Sequence, residues 1–142
     1  MSVTPPENSA IFADLNTSLP LRMITEQIER LSMSADVKAI LLDLAKVTVN
    51  IGGTVLKIGA KILTIVFDII SQFPNTAFGV VISVCLGLLI GSIPFIGGLL
   101  APFLMPLLVA FGLAKGAIAD LANAGWAARI RDLEAKLSKV SV

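Results

Sequence analysis

The chain has 142 residues, of which 56% are hydrophobic and only 15% are charged, and its mean hydropathy is +0.90. Ordinary globular domains carry about 25% charged residues, and one small core cannot enclose this much apolar side chain. Eleven Lys and Arg against ten Asp and Glu give a net charge of +1, without the basic cluster of a nucleic-acid-binding protein. The composition therefore argues against a nucleic-acid partner and predicts a single domain in contact with a lipid membrane.

Catalytic and metal chemistry has little support in the residue types. The chain has no histidine, which is the usual general base and the commonest metal ligand. Its one cysteine, Cys85, cannot form a thiolate metal site alone or an intramolecular disulfide. The glycine-rich stretches lack the Lys-Ser or Lys-Thr that ends a phosphate-binding loop. We therefore predict no enzymatic activity, no cofactor and no bound metal.

The N-terminal part is predicted to be an irregular arm followed by a short helix. Residues 1–20 are polar and lack the basic stretch and apolar core of a cleavable export signal. From residue 21 onwards, apolar side chains recur at helical spacing with Glu26, Glu29 and Arg30 between them. This pattern predicts a short amphipathic helix over residues 21–33, at the start of a single helical membrane domain that covers residues 21–142.

A long amphipathic helix is predicted over residues 35–72. Ser34 suits the position before the helix, where its hydroxyl can accept from a free backbone N–H, and Asp36 complements the positive end of the helix dipole. Polar residues along this segment step by three, four or seven, which places them in one narrow stripe. This polar stripe consists of Asp43, Lys46, Asn50, Thr54, Lys57, Lys61, Thr64 and Asp68.

The polar stripe has three interpretations. It lines an aqueous passage in a ring of subunits, it faces water while the helix lies flat on a bilayer, or it is the solvent side of a helix packed on the rest of the protein. A helix of this length measures about 50 Å, more than the roughly 30 Å of a hydrocarbon core. The sequence leaves all three interpretations open.

The most apolar part of the chain follows this segment. Ile69 to Ala114 is a run of 46 residues without one charged side chain, more than twice the length that a helix needs to cross a bilayer. Its prolines and glycines divide it into a hydrophobic helical hairpin over residues 74–126, with Pro74 in the first turn. The predicted hairpin turn and the start of the second helix contain Pro94, Gly97, Gly98, Pro102 and Pro106. Because this tip is apolar, we expect it to stay in lipid or protein.

Small residues recur at intervals of four along the first hairpin helix. Gly79, Ser83, Gly87 and Gly91 therefore lie on one helix face, where they let another backbone approach closely. We call these four residues the small-residue ridge. The ridge predicts close helix packing, either against the second arm of the hairpin or against another subunit, and we favour a homo-oligomer.

The last predicted element is an amphipathic helix over residues 118–140, where apolar residues at spacings of three and four alternate with charged ones. Its apolar side closes the fold, binds a lipid surface or contacts another subunit. Together the elements predict an all-α, membrane-associated protein with a long amphipathic helix, a hydrophobic helical hairpin and a C-terminal amphipathic helix.

Three functions fit these elements. In the first, which we favour, the protein inserts into a membrane and self-assembles into a pore or channel, with the polar stripes as a lining that would favour anions. In the second, the hairpin and the amphipathic helices coat or bend a membrane without conducting. In the third, a soluble helical protein conceals its hairpin, a class that includes toxins that unfold into membranes.

Overall fold

The computed structural model describes residues 12–51, 53–74, 78–111 and 127–140. This part of the chain is mostly helical, in agreement with an all-α class, and it adds one small antiparallel sheet. The elements in chain order are α1 (residues 12–16), α2 (Leu21–Glu29), α3 (Ala35–Ala45), β1 (Thr48–Ile51), β2 (Thr54–Lys57), α4 (Ile58–Gln72), α5 (Phe78–Ser92), α6 (Pro94–Phe111) and α7 (Ala127–Val140).

The first predicted helices begin where the sequence indicates. The helix expected over residues 21–33 forms as α2 and buries Ile24 and Ile28. At the start of α3, the Val37 N–H donates to Ser34 Oγ at 3.3 Å, and Asp36 lies in the first turn. The arm expected to be irregular over residues 1–20 contains the helical turn of α1, and its first 11 residues lie outside the described part.

The prediction of one long helix over residues 35–72 is wrong. α3 ends at Ala45, and β1 and β2 form a hairpin before α4 begins. β-Branched residues are frequent here, as is typical of strands, and Gly53 has a φ of +85° at the turn, a conformation that glycine adopts without strain. Val49 and Leu56 pair across the two strands and are buried, whereas their neighbours along each strand are more exposed. This period of two marks a half-buried hairpin rather than a helix.

The hydrophobic helical hairpin forms as α5 and α6, but its limits differ from the prediction. Pro74 lies between α4 and α5 rather than in a helix, and Ile93 alone joins α5 to α6. The predicted turn is wrong. Pro94 is the first residue of α6, a position that suits proline, and the other four residues assigned to the turn or the second helix start lie inside α6: Gly97, Gly98, Pro102 and Pro106.

Packing explains why α6 continues through two prolines. Each interior proline removes one helix hydrogen bond, but the opposite side of α6 is buried through Ile96, Leu100 and Leu107. Tertiary burial of this kind supplies most of the stability of helices in proteins. The predicted hairpin residues 112–126, and residues 118–126 of the predicted C-terminal helix, lie outside the described part, while α7 agrees with the rest of that helix.

α5 is the central helix of the structure. It packs against α4, α6 and α7, and its side chains from Val81 to Leu86 are all fully buried. α7 contributes Ile130, Leu133 and Leu137 to the same core. In the described ranges, no helix combines the length and the apolar character that are needed to cross a membrane.

α3 and α4 approach each other most closely at Gly59. The Gly59 N–H donates to the Val47 carbonyl oxygen at 3.3 Å. A Cβ at position 59 would overlap the backbone carbonyl of Leu44 and lie 3.2 Å from the Cβ of Val47. Neither the Leu44 backbone nor the helix that carries it can move aside without disturbing the core, so only glycine fits at this crossing.

We expect the Gly59→Ala variant to lower the free energy of unfolding by about 2 kcal/mol or more, because overpacking against backbone forces the two helices apart. Urea unfolding followed by circular dichroism measures the change. Gly98→Ala is the matched control, since a Cβ at position 98 meets nothing within 4 Å, and we expect it to be neutral or to stabilise α6 by up to about 1 kcal/mol. Equal stability of the two variants would contradict the close approach.

Candidate functional site

The β-hairpin interrupts the helix on which the polar stripe was predicted, and the stripe has two halves that lie on different elements. The first half lies on the end of α3 and on the two strands, where its side chains are exposed or half-buried: Asp43, Lys46, Asn50, Thr54 and Lys57. The second half, Lys61, Thr64 and Asp68, lies on α4. The eight residues therefore do not form one continuous helical stripe.

The α4 half of the stripe contacts the N-terminal segment and α7. Thr64 Oγ1 accepts a hydrogen bond from the Leu19 N–H at 3.1 Å and donates to the Ala60 carbonyl at 2.8 Å. Lys61 Nζ donates to the Thr17 carbonyl at 3.0 Å, and Asp68 forms an ion pair with Arg129 of α7. These side chains therefore hold parts of the same chain together.

Asp14 is the centre of an ionic cluster that joins α1, α4 and α7. Its Oδ2 accepts a hydrogen bond from Lys136 Nζ at 2.8 Å, and its Oδ1 lies 3.8 Å from Lys61 Nζ. Lys136 Nζ also lies 3.0 Å from Asp132 one turn earlier in α7. No local sequence pattern indicates this cluster, because Asp14 and Lys136 are 122 residues apart.

The ionic cluster changes the proton affinity of its members. The hydrogen bond from Lys136 lowers the pKa of Asp14 below its ordinary value; partial burial opposes this effect and the charge of Lys61 adds to it. The hydrogen bonds to Asp14 and then to Asp132 raise the pKa of Lys136. These side chains line a cleft of about 360 Å³ together with Arg129. Charges of both signs therefore line the cleft, and Asp14 pairs with both of its lysines.

The most distinctive surface is the outer side of α6, which we call the α6 apolar face. Its residues recur at intervals of three and four and are exposed: Gly98, Ala101, Pro102, Met105, Pro106, Val109 and Ala110. Met105 is 62% exposed and Val109 is 80% exposed. Not one of these side chains is polar, which is unusual because the outer side of a surface helix normally carries charged residues.

The sequence does contain evidence for the α6 apolar face, although the predicted hairpin did not distinguish an outward side from a buried side of this helix. No residue of α6 is charged, so any side of this helix that faces outward has to be apolar. Which side faces outward depends on the packing of Ile96, Leu100 and Leu107 against the core, and that depends on the tertiary structure.

The small-residue ridge lies on α5, where Gly79 and Ser83 are buried and Gly87 is half-buried. Gly91 lies in the last turn of α5. Ser83 is 0% exposed, and its Oγ has no hydrogen-bond partner among the described residues. A Cβ at position 87 would meet nothing within 4 Å. The ridge is thus covered at Ser83 and open at Gly87.

Comparison with known proteins finds no family model, no curated protein and no solved structure that matches this chain.

We expect Asp14→Asn to lower the free energy of unfolding at pH 7 by about 1 kcal/mol or less, because half-exposed ion pairs are screened by water. The lowered pKa of Asp14 means that its contribution is complete above the ordinary value of 3.8 and disappears as the pH falls through the lowered value. The raised pKa of Lys136 means that its contribution is complete below 10.5 and disappears as the pH rises through the raised value.

Urea unfolding of the wild type and of Asp14→Asn as a function of pH measures the difference between their free energies of unfolding. We expect this difference to be present near neutral pH and absent in strong acid and in strong base. Glu26→Gln is the control, because Glu26 is exposed on α2 and forms no ion pair within the described part of the chain. A difference between wild type and Asp14→Asn that persists unchanged in strong acid would contradict the role of the carboxylate charge.

Proposed function

We propose that this protein binds lipid membranes through the α6 apolar face and that the α5–α6 hairpin is the part that enters the lipid. The observation that carries this proposal is the exposure of apolar side chains on the outer side of α6, with Met105 and Val109 the most exposed. A helix that is apolar on all sides is normally enclosed by protein or by lipid. α6 is enclosed by protein on one side only.

The continuity and the apolar character of the α6 apolar face favour lipid as its partner. Single exposed apolar residues are common on protein surfaces and need no explanation, but contiguous apolar patches mark interaction sites. This face extends from Gly98 to Ala110 along three turns without a polar side chain that would specify a protein partner by hydrogen bonding. Lipid acyl chains require no such specificity, and the strength of interfacial binding increases with the apolar area that is buried.

The hairpin as a whole is suited to an apolar medium. α5 and α6 carry no charged side chain, and the connection between them is the single buried residue Ile93. Transfer of this unit into lipid would therefore not require the burial of any charge, which is the main energetic barrier to insertion. Helical segments also keep their backbone hydrogen bonds in lipid.

The non-conducting role has better support than the pore. A pore lined by the polar stripe would need one continuous helix, whereas part of the stripe lies on β1 and β2 and the rest on α3 and α4. It would also need Lys61 and Asp68 to leave Asp14 and Arg129. A membrane-coating or membrane-shaping protein needs neither change, because the α6 apolar face is already exposed.

Val109→Glu should lower the vesicle partition coefficient about tenfold, which corresponds to about 1.4 kcal/mol for replacing one apolar contact by a carboxylate. Floatation of the full chain with neutral phosphatidylcholine vesicles measures binding without a contribution from lipid charge. Val55→Glu is the matched control, since Val55 is 54% exposed but lies on β2. Equal loss in the two variants, or a change only in the self-association of the free chain, would count against lipid binding by α6.

We expect the chain to bind these vesicles without releasing a small trapped dye, because the two halves of the polar stripe are separate and its α4 half is paired within the chain. Release is measured by the loss of fluorescence quenching as the dye leaves. Release that accompanies binding would contradict the non-conducting role and favour the pore, and Lys57→Glu should then change the ion preference.

A further inference from the structure

The small-residue ridge of α5 contains an unsatisfied polar group at Ser83. Ser83 is fully buried, and no described residue accepts from or donates to its hydroxyl. A buried hydroxyl without a partner is unfavourable, and natural proteins keep few of them. An alanine at this position would remove the unfavourable group without changing the helix. Within the described part of the chain, nothing satisfies this hydroxyl, and the contact inferred below gives it a partner.

The geometry points to a second copy of this chain as the partner of the ridge: we propose that, when the hairpin lies in lipid, α5 pairs with α5 of another molecule across Gly79, Ser83 and Gly87. This inference rests on the membrane-binding role proposed above. It adds the contact through which membrane-bound copies associate.

The three ridge residues Gly79, Ser83 and Gly87 are arranged symmetrically about Ser83. Gly79 and Gly87 lie one turn before and one turn after it, so a crossing at Ser83 places glycine against glycine whether the two helices run parallel or antiparallel. Glycines allow the two backbones to approach closely. A serine hydroxyl both donates and accepts, so two Ser83 side chains at the crossing can satisfy each other. One self-complementary face of this kind is what a two-fold contact between identical chains requires.

The environment decides when the ridge becomes available. In the folded chain the apolar side chains of α5 need the cover of α4, α6 and α7 to avoid water. In lipid this cover is unnecessary, because acyl chains are as apolar as leucine, and helix association then depends on small residues and on interhelical hydrogen bonds. Gly87 is already half-buried with open space around it, so the ridge is partly uncovered at this position.

The test is amine crosslinking of the full chain on phosphatidylcholine vesicles, with floatation of the same samples to measure binding separately. The lysines are unchanged in every variant. Ser83→Ala should reduce the crosslinked dimer about threefold, the effect of one interhelical hydrogen bond in a membrane, and should raise the urea midpoint of the free chain. Gly87→Leu should reduce the dimer about tenfold by blocking close approach. Both variants should bind vesicles like the wild type.

Substitutions at Gly98 are the matched controls, because a Cβ there also meets nothing within 4 Å but lies on α6. Gly98→Leu adds the same bulk as Gly87→Leu, and Gly98→Ala controls for a general gain in helix stability; both should crosslink like the wild type. Undiminished crosslinking of Ser83→Ala and Gly87→Leu would overturn the ridge contact, with the serine then satisfied by its own helix. Vesicle binding without any dimer would overturn self-association, whereas absent binding would overturn the membrane role itself.

Discussion

The structure depends on the enclosure of one helix. α5 has neither a charged residue nor a polar side, so it has no face that can be left in water, and α4, α6 and α7 have to surround it. A chain of 142 residues has few helices for this purpose. α4 and α7 can cover α5 and still face water, because they carry charged residues on their other sides. α6 covers α5 with one apolar side and has only another apolar side to present outward, so the exposed face of α6 is a direct consequence of the burial of α5.

The covering helices are held in place partly by charges that lie far apart in the sequence. Asp14 connects the N-terminal segment to Lys61 of α4 and Lys136 of α7, and Asp68 connects α4 to Arg129 of α7. These pairs are half-exposed, so each stabilises the fold only weakly. The apolar contacts of Ile130, Leu133 and Leu137 contribute more. α5 is thus strongly buried, whereas the ion pairs between the helices that cover it are weak. Water or lipid headgroups can replace these ion pairs.

Local signals in the sequence predicted local features well. The cap at Ser34, the short amphipathic α2 and the existence of an apolar helical hairpin all depend on neighbouring residues, and the structure contains all three. The prediction failed where a strand pattern competed with helical spacing, or where a contact between distant residues determined the structure. The polar residues from Asp43 to Asp68 fit helical spacing, but the β-branched residues around Val49 and the glycine turn favour a hairpin between two helices. Pro102 and Pro106 suggested a helix start, but α6 continues past both prolines because its opposite side is buried. Of the candidate site, the sequence identified the small-residue ridge, but it did not reveal the orientation of α6 or the cluster around Asp14.

The proposed entry into lipid offers one explanation for the two unusual features of the hairpin, the exposed apolar face of α6 and the buried hydroxyl of Ser83. In water the first leaves apolar surface exposed and the second leaves a polar group buried, and both are unfavourable. In lipid the α6 face becomes favourable, while an isolated Ser83 would stay without a partner, because no water can reach it there either. Entry into lipid alone therefore removes the unfavourable exposure of α6 but leaves the Ser83 hydroxyl without a partner. Pairing of α5 helices supplies this partner, and for this reason we expect membrane binding and self-association of this protein to be thermodynamically coupled.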